Sequence, residues 1–195
     1  MSDEGFNEEI HVPTRTGDLV STGNYLTIGD KQFTLDTVDH ISYWWTNRRT
    51  NGVYTGHFFS IKVKTGDSKG HWGFSTGVKE KDLDIARDGY ARVVDRIEAV
   101  TSPRLANSMV ERIRSGEKIS MPGIVFDTTG VKARGPFSKV ARWEEIAGTM
   151  FEFEYIRVLV NREGKKDKKK LLLHPDTWDV VLVPRVVWAL APNHD

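Results

Sequence analysis

The sequence predicts an α+β fold: two tandem antiparallel β-units, each followed by a C-terminal helix, with an extra linker helix between them. Three observations predict it. Short segments of alternating polarity, separated by turn dipeptides, fill residues 19–75. The apolar period then lengthens to three and four residues over Asp82–Val100, and again after Ser102-Pro103. Strand-like segments resume at Lys118 and follow the order of the first set. Side chains alternate across a strand but return to one helix face about every 3.6 residues, so the two periods separate strand from helix. The expected division is a flexible tail over 1–17, a first unit over 18–100, a linker helix over 101–116 and a second unit over 117–195.

Residues 1–17 are polar, acidic and interrupted by proline, the composition of a mobile tail. Tyr25–Ile28 and Lys31–Thr34 flank Gly29-Asp30, a tight-turn pair, and form a hairpin. In His40–Asn47, Ile41, Tyr43 and Trp45 share one face, and Ser42, Trp44 and Thr46 share the other. Asn51-Gly52 is the strongest turn signal in the chain. It leads to His57–Lys64, where Phe59, Ile61 and Val63 alternate with Phe58, Ser60 and Lys62, and Gly66-Asp67 leads on to His71–Ser75. Such a succession is a meander, half a sandwich or a small barrel.

Leu83, Ala86, Tyr90, Val93, Val94 and Ile97 line one face of a helix. Gly89 within it costs about 1 kcal/mol relative to alanine, which predicts a close packing contact there. Ser102 as N-cap and Pro103 at the first helical position restart a helix whose apolar side is Leu105, Met109 and Ile113. Gly116 stands where its C-terminal cap belongs. The second strand set runs through Ile124–Phe126, Val131–Ala133, Lys139–Ile146, Thr149–Val160 and Lys168–His174. Trp178, Val181, Leu182, Val186 and Trp188 then suit a closing helix, against which Pro184 counts because it removes an internal hydrogen bond.

The halves correspond in three places. TLDTVDHI answers ARWEEI, FFSIKVKTGDSKGHW answers YIRVLVNREGKKDKKKLLL, and DLDIARDGYARVVDRI answers TWDVVLVPRVVWAL. Three matches in one order point to an internal repeat.

With 195 residues, 38% hydrophobic and 28% charged, the chain has the make-up of a soluble globular protein. A net charge of +1 excludes a global field toward nucleic acid or anionic membrane. Cysteine is absent, which rules out disulfides and thiol catalysis and fits a cytoplasmic location. The acidic N-terminus is not a secretory signal, and no apolar run reaches the roughly 20 residues a membrane span needs.

Short antiparallel strands capped by a helix are the layout of pleckstrin-homology-like (PH-like) domains. Gly123–Phe126, Gly130-Val131, Trp143-Glu144-Glu145-Ile146 and the hairpin over Tyr155–Leu173 resemble the bacterial members of that superfold, and are similar to those of actinobacterial proteins of unknown function. The first half is similar in outline, with Val38-Asp39-His40-Ile41 where Trp-Glu-Glu-Ile would stand. The resemblance implies a carrier of binding surfaces and transfers no particular ligand.

Gly73-Phe74-Ser75-Thr76-Gly77 matches the nucleophile-elbow pattern, but the segment before Ser75 is too polar for a buried parallel strand, so a serine hydrolase is a minor alternative. His40, His57 and His71 lack metal-ligand spacing, and neither metal nor cofactor is expected. Glu144 and Glu145, as strand neighbours, face opposite ways, while Glu152 and Glu154 share a solvated face. Arg162, Lys165, Lys166, Lys168, Lys169 and Lys170 concentrate charge in one hairpin loop suited to anionic lipid headgroups. No aromatic residues interleave with these cations, so nucleic acid is not expected. The aromatics Tyr43, Trp44, Phe58 and Trp72 are the candidate partner-binding set, with Trp44 and Phe58 at its centre. The expected function is a non-enzymatic cytoplasmic binding or scaffold module that recognises a protein partner or a second copy of itself. Anionic lipid is the alternative ligand.

Overall fold

The computed structural model describes residues 7–12, 18–77, 83–135, 138–152, 155–160 and 171–192. The chain divides into two compact units, Met1–Pro103 and Arg104–Asp195.

In the first unit, β1 (Ile10–Val12), β2 (Leu19–Thr22), β3 (Tyr25–Ile28) and β4 (Lys31–Thr34) form an antiparallel meander in chain order. Ile10–Val12 falls inside the stretch read as a mobile tail. It pairs instead with Leu19–Ser21, because Ile10 and Val12 bury their side chains in the core beside Leu19, Leu26 and Phe33. Three longer strands, β5 (His40–Thr50), β6 (Val53–Thr65) and β7 (Ser68–Gly77), make a second antiparallel sheet with β6 in the middle. Asn51 and Gly52 join β5 to β6 with φ of 51° and 81°, the two positive angles a type I′ turn requires. The sheets close against each other at Gly70, where a Cβ would stand 2.5 Å from the Phe33 ring.

The expected pair of helices is not what the chain forms. One uninterrupted helix, α1 (Leu83–Arg114), replaces the separate first-unit helix and linker helix, with Pro103 inside it. Among the described residues the protein is predominantly β, with fourteen strands in four antiparallel sheets. The layout of two units, each with its own C-terminal helix and a linker helix between, is thereby overturned. The reason lies in the buried stripe Ala86, Tyr90, Val93, Ile97, Thr101, Leu105, Met109 and Ile113, which passes through the proline without losing phase. Thr101 and Ser102 continue it as polar residues because their hydroxyls are satisfied: Thr101 donates to Leu35 O at 2.7 Å and Ser102 to Glu98 at 3.0 Å. Arg96 is also buried on α1. Its guanidinium donates to Ser21 Oγ at 3.0 Å and Glu8 O at 2.9 Å, fastening the segment before β1. Burial lowers the Arg96 pKa, Arg92 adds to this, and Glu8 opposes it. The helix ends in a Schellman motif, with Gly116 at φ 95°, Glu117 N–H on Arg112 O and Gly116 N–H on Ile113 O. Arg112 also pairs with the Glu117 carboxylate, which holds the Glu117 pKa below its ordinary value.

In the second unit, β8 (Ile119–Met121), β9 (Ile124–Asp127), β10 (Gly130–Ala133) and β11 (Val140–Arg142) form one meander; β12 (Ile146–Glu152), β13 (Tyr155–Val160) and β14 (Leu171–Leu173) form another. The strand expected over Lys139–Ile146 is broken by a single 3₁₀ turn, Trp143–Glu145, in which the Glu145 carboxylate accepts the Arg142 N–H at 2.9 Å. That turn lays Trp143 parallel to Phe126 at 6.4 Å, and its indole N–H donates to Asp127 O at 3.1 Å. A 3₁₀ turn, Val180–Leu182, runs into α2 (Val183–Leu190). Pro184 lies in the first turn of α2, where it has no hydrogen bond to remove.

Candidate functional site

Cross-strand register sorts the side chains of β5–β7 onto two faces. Toward α1 lie the rows Ile41–Val63–Gly70, Tyr43–Ile61–Trp72 and Trp45–Phe59–Phe74, and the pair Asn47–His57. Away from it lie His40–Lys64–Lys69, Ser42–Lys62–His71, Trp44–Ser60–Gly73 and Thr46–Phe58–Ser75. The sheet places the four expected partner-binding residues on different faces. Trp72 is buried, its ring 6.3 Å from Tyr90, and Tyr43 donates its hydroxyl to Glu98 of α1. Both are core contacts of the helix-facing side. Trp44 and Phe58 are half-buried on the opposite side, with ring centroids 5.2 Å apart.

The exposed aromatic surface begins with a residue outside the expected partner-binding set. Trp45 is 57% exposed and stacks at 6.4 Å on buried Phe59, which in turn stacks at 6.5 Å on Phe74. His57 lies 5.9 Å from the Trp45 ring, and Tyr54 shares a hydrogen bond with His57. Next to them Val53 and Tyr54 are 66% and 37% exposed at the end of the hairpin, with Arg48 and Arg49 exposed across the turn. A bulge between Arg48 and Arg49 re-aims this outer part of the hairpin. Beneath the strip, burial pushes the Tyr90 phenol well above its usual pKa, so it stays neutral. A signal for this surface does exist in the sequence: no Asp or Glu occurs from His40 to Gly66.

The other candidates separate in the same way. Ser75 is exposed within antiparallel β7, and its Oγ accepts from Arg48 at 3.1 Å; a nucleophile elbow needs a parallel strand running into a helix. His57 lies on the helix-facing side of the sheet, whereas His71 lies on the other, with Nε2 3.3 Å from Ser60 Oγ. Among the described residues no three of His, Asp and Glu gather as a metal site needs. Glu144 and Glu145 sit in the 3₁₀ turn, not on a strand. Arg162, Lys165, Lys166, Lys168, Lys169 and Lys170 lie outside the described residues, as do Glu154 and the side chain of Glu152. Between β1 and the start of α1, an open groove is lined by Glu9, His11, Asp84, Ile85, Asp88 and Arg92, where charges of both signs are paired at the surface.

No protein-family model, curated protein or solved structure matches this chain. Among the described residues no helix is long and apolar enough to cross a membrane.

Proposed function

We propose that this protein is a non-enzymatic binding or scaffold module of the cytoplasm that engages a protein partner through the aromatic end of the β5–β7 sheet. One observation carries the reading: Trp45, more than half exposed, stacks on buried Phe59 and is linked through His57 to exposed Tyr54. A tryptophan left in water forgoes roughly 1.5–3 kcal/mol of burial, which a partner can recover. Because the ring is already stacked, little side-chain entropy is lost on docking. Exposed Trp and Tyr with neighbouring Arg is also the composition of interface hot spots. The resemblance of residues 123–173 to bacterial PH-like domains supports the same reading, since that superfold serves as a platform for binding surfaces.

The test is affinity capture from the native host with wild type, with Trp45→Ser plus Tyr54→Ser, and with Trp188→Ser, which alters an exposed tryptophan of the other unit. The reading expects a protein held by wild type and by the Trp188 variant and lost with the double variant. It then expects saturable binding of that protein in purified form. Equal capture by all three forms refutes the role of this surface.

A further inference from the structure

We infer that the face of β5–β7 turned away from α1 is a site for single-stranded nucleic acid. The protein-partner reading rests on Trp45, on the other face of the sheet, and the two surfaces meet at Arg48. The first two rows, His40–Lys64–Lys69 and Ser42–Lys62–His71, set basic residues side by side across three strands. Lys64 and Lys69 stand directly opposite one another, with Lys62 in the next row of the same face. From Asp39 to Gly77 the carboxylates are Asp39, whose N–H donates to Lys64 O, and Asp67 in the turn between β6 and β7, against Arg48, Lys62, Lys64 and Lys69 on this face. A chain with net charge +1 has gathered cations on one small surface, and a polyanion is the ligand that such a surface complements.

The next rows say which polyanion. Trp44 and Phe58 follow the lysines, and Phe58 lies over Gly73, where a Cβ would stand 3.4 Å from its ring. Arg48 closes the face beyond them, held across the strands by Ser75 Oγ. Along the sheet the order is therefore basic, basic, aromatic, aromatic, basic, with rows about 6.7 Å apart. This interleaving is what base stacking flanked by phosphate contacts requires, and it is missing from the lysine loop at 161–170, on which the expectation against nucleic acid rests. Trp44 and Phe58 are half-buried, their planes 54° apart, so each ring offers its own face to a base, whereas insertion among lipid chains needs protruding apolar side chains. A single strand, with its bases unpaired, can lay them on the rings while its phosphates meet the lysines and Arg48.

The experiment is fluorescence anisotropy of the full chain with a short labelled single-stranded oligodeoxynucleotide across a salt series. Vesicles of phosphatidylserine and phosphatidylcholine serve as the competing ligand. Wild type should bind the oligonucleotide with a steep salt dependence. Changing Lys62, Lys64 and Lys69 to alanine should flatten the slope of log K against log salt by about two, at roughly 0.7 per phosphate contact. Phe58→Leu, which keeps an apolar side chain, should weaken binding roughly 5- to 100-fold at unchanged slope. Thermal melts confirm that each variant is folded. No binding at low salt, binding indifferent to both variants, or binding to vesicles alone overturns the inference. So does a loss confined to the lysine variant, since the aromatics would then play no part.

Discussion

Gly89 of α1 sits against Val12 of β1 with no room for a side chain: a Cβ on Gly89 would stand 2.7 Å from Val12 Cγ2. The glycine costs the helix about 1 kcal/mol of propensity, and overpacking a closed contact costs about 1–3 kcal/mol. The second term wins. Gly89→Ala is expected to lower the Tm by a few degrees, and Val12→Ala in the same chain should cancel part of that loss. An increase in Tm for Gly89→Ala would show that the contact yields.

Gly130 is the more demanding glycine. At φ 151°, a Cβ there would enter the space of Ala141 O on the neighbouring strand, and that backbone atom cannot step aside. Gly130→Ala should cost more than about 4 kcal/mol and leave little folded second unit. Gly29→Ala, at φ 61° with open space around it, should cost only about 1–2 kcal/mol. Chemical denaturation of both variants measures the contrast, and similar values for the two would contradict it.

Asp127 supplies a pH dependence. Burial works to raise the pKa of its carboxyl, but hydrogen bonds from the Thr129 hydroxyl and from the N–H groups of Thr129 and Gly130, together with nearby Lys118, hold it below the ordinary carboxylate value. A carboxyl depressed in the folded state contributes stability that is complete above the ordinary carboxylate range and is lost as pH falls through the lower folded-state pKa. Asp127→Asn should flatten the acid limb of the stability curve. Trp143, whose indole donates to the Asp127 carbonyl, gives the fluorescence readout. An unchanged acid limb would assign that limb to other groups.

Pro103 tests the continuity of α1. A proline at the first position of a separate helix is favourable, and alanine there brings no gain. A proline inside a helix leaves the carbonyl four residues back, that of Ala99, without its usual donor, at a cost of about 3 kcal/mol. Pro103→Ala is therefore expected to raise stability by about 1–2 kcal/mol, seen as a higher denaturant midpoint at unchanged slope. A loss of stability would mean that the helix breaks there.

What was legible in the sequence followed from local chemistry. The Asn51-Gly52 hairpin, the cap at Gly116 and the close contact at Gly89 each rest on one residue's backbone preference. The continuity of α1 was hidden because Thr101-Ser102-Pro103 carries every local mark of a helix start. What overrides those marks is Leu35 O, a partner 66 residues away in the chain. The aromatic surface was half legible. Alternation puts Trp44 and Trp45 on opposite faces, but which one reaches solvent depends on where the cover of α1 ends. Trp72 was misplaced for the same reason: it looks like any sheet aromatic until Tyr90 is set against it.

The bulge at Arg48 and Arg49 has a consequence for how the longest hairpin comes apart. Inside it, Ile41, Phe59, Ile61 and Val63 are buried; outside it, from Arg49 to Tyr54, every residue is exposed. The outer turn therefore has little beyond its own ladder of hydrogen bonds and the Tyr54–His57 contact to keep it closed. In deuterated buffer the amides on either side of Asn51-Gly52 should exchange early, while those of Ile61 and Val63 wait for the whole unit to unfold. The hairpin thus works like a zipper whose slider stops at the bulge, leaving a short open end to meet whatever arrives.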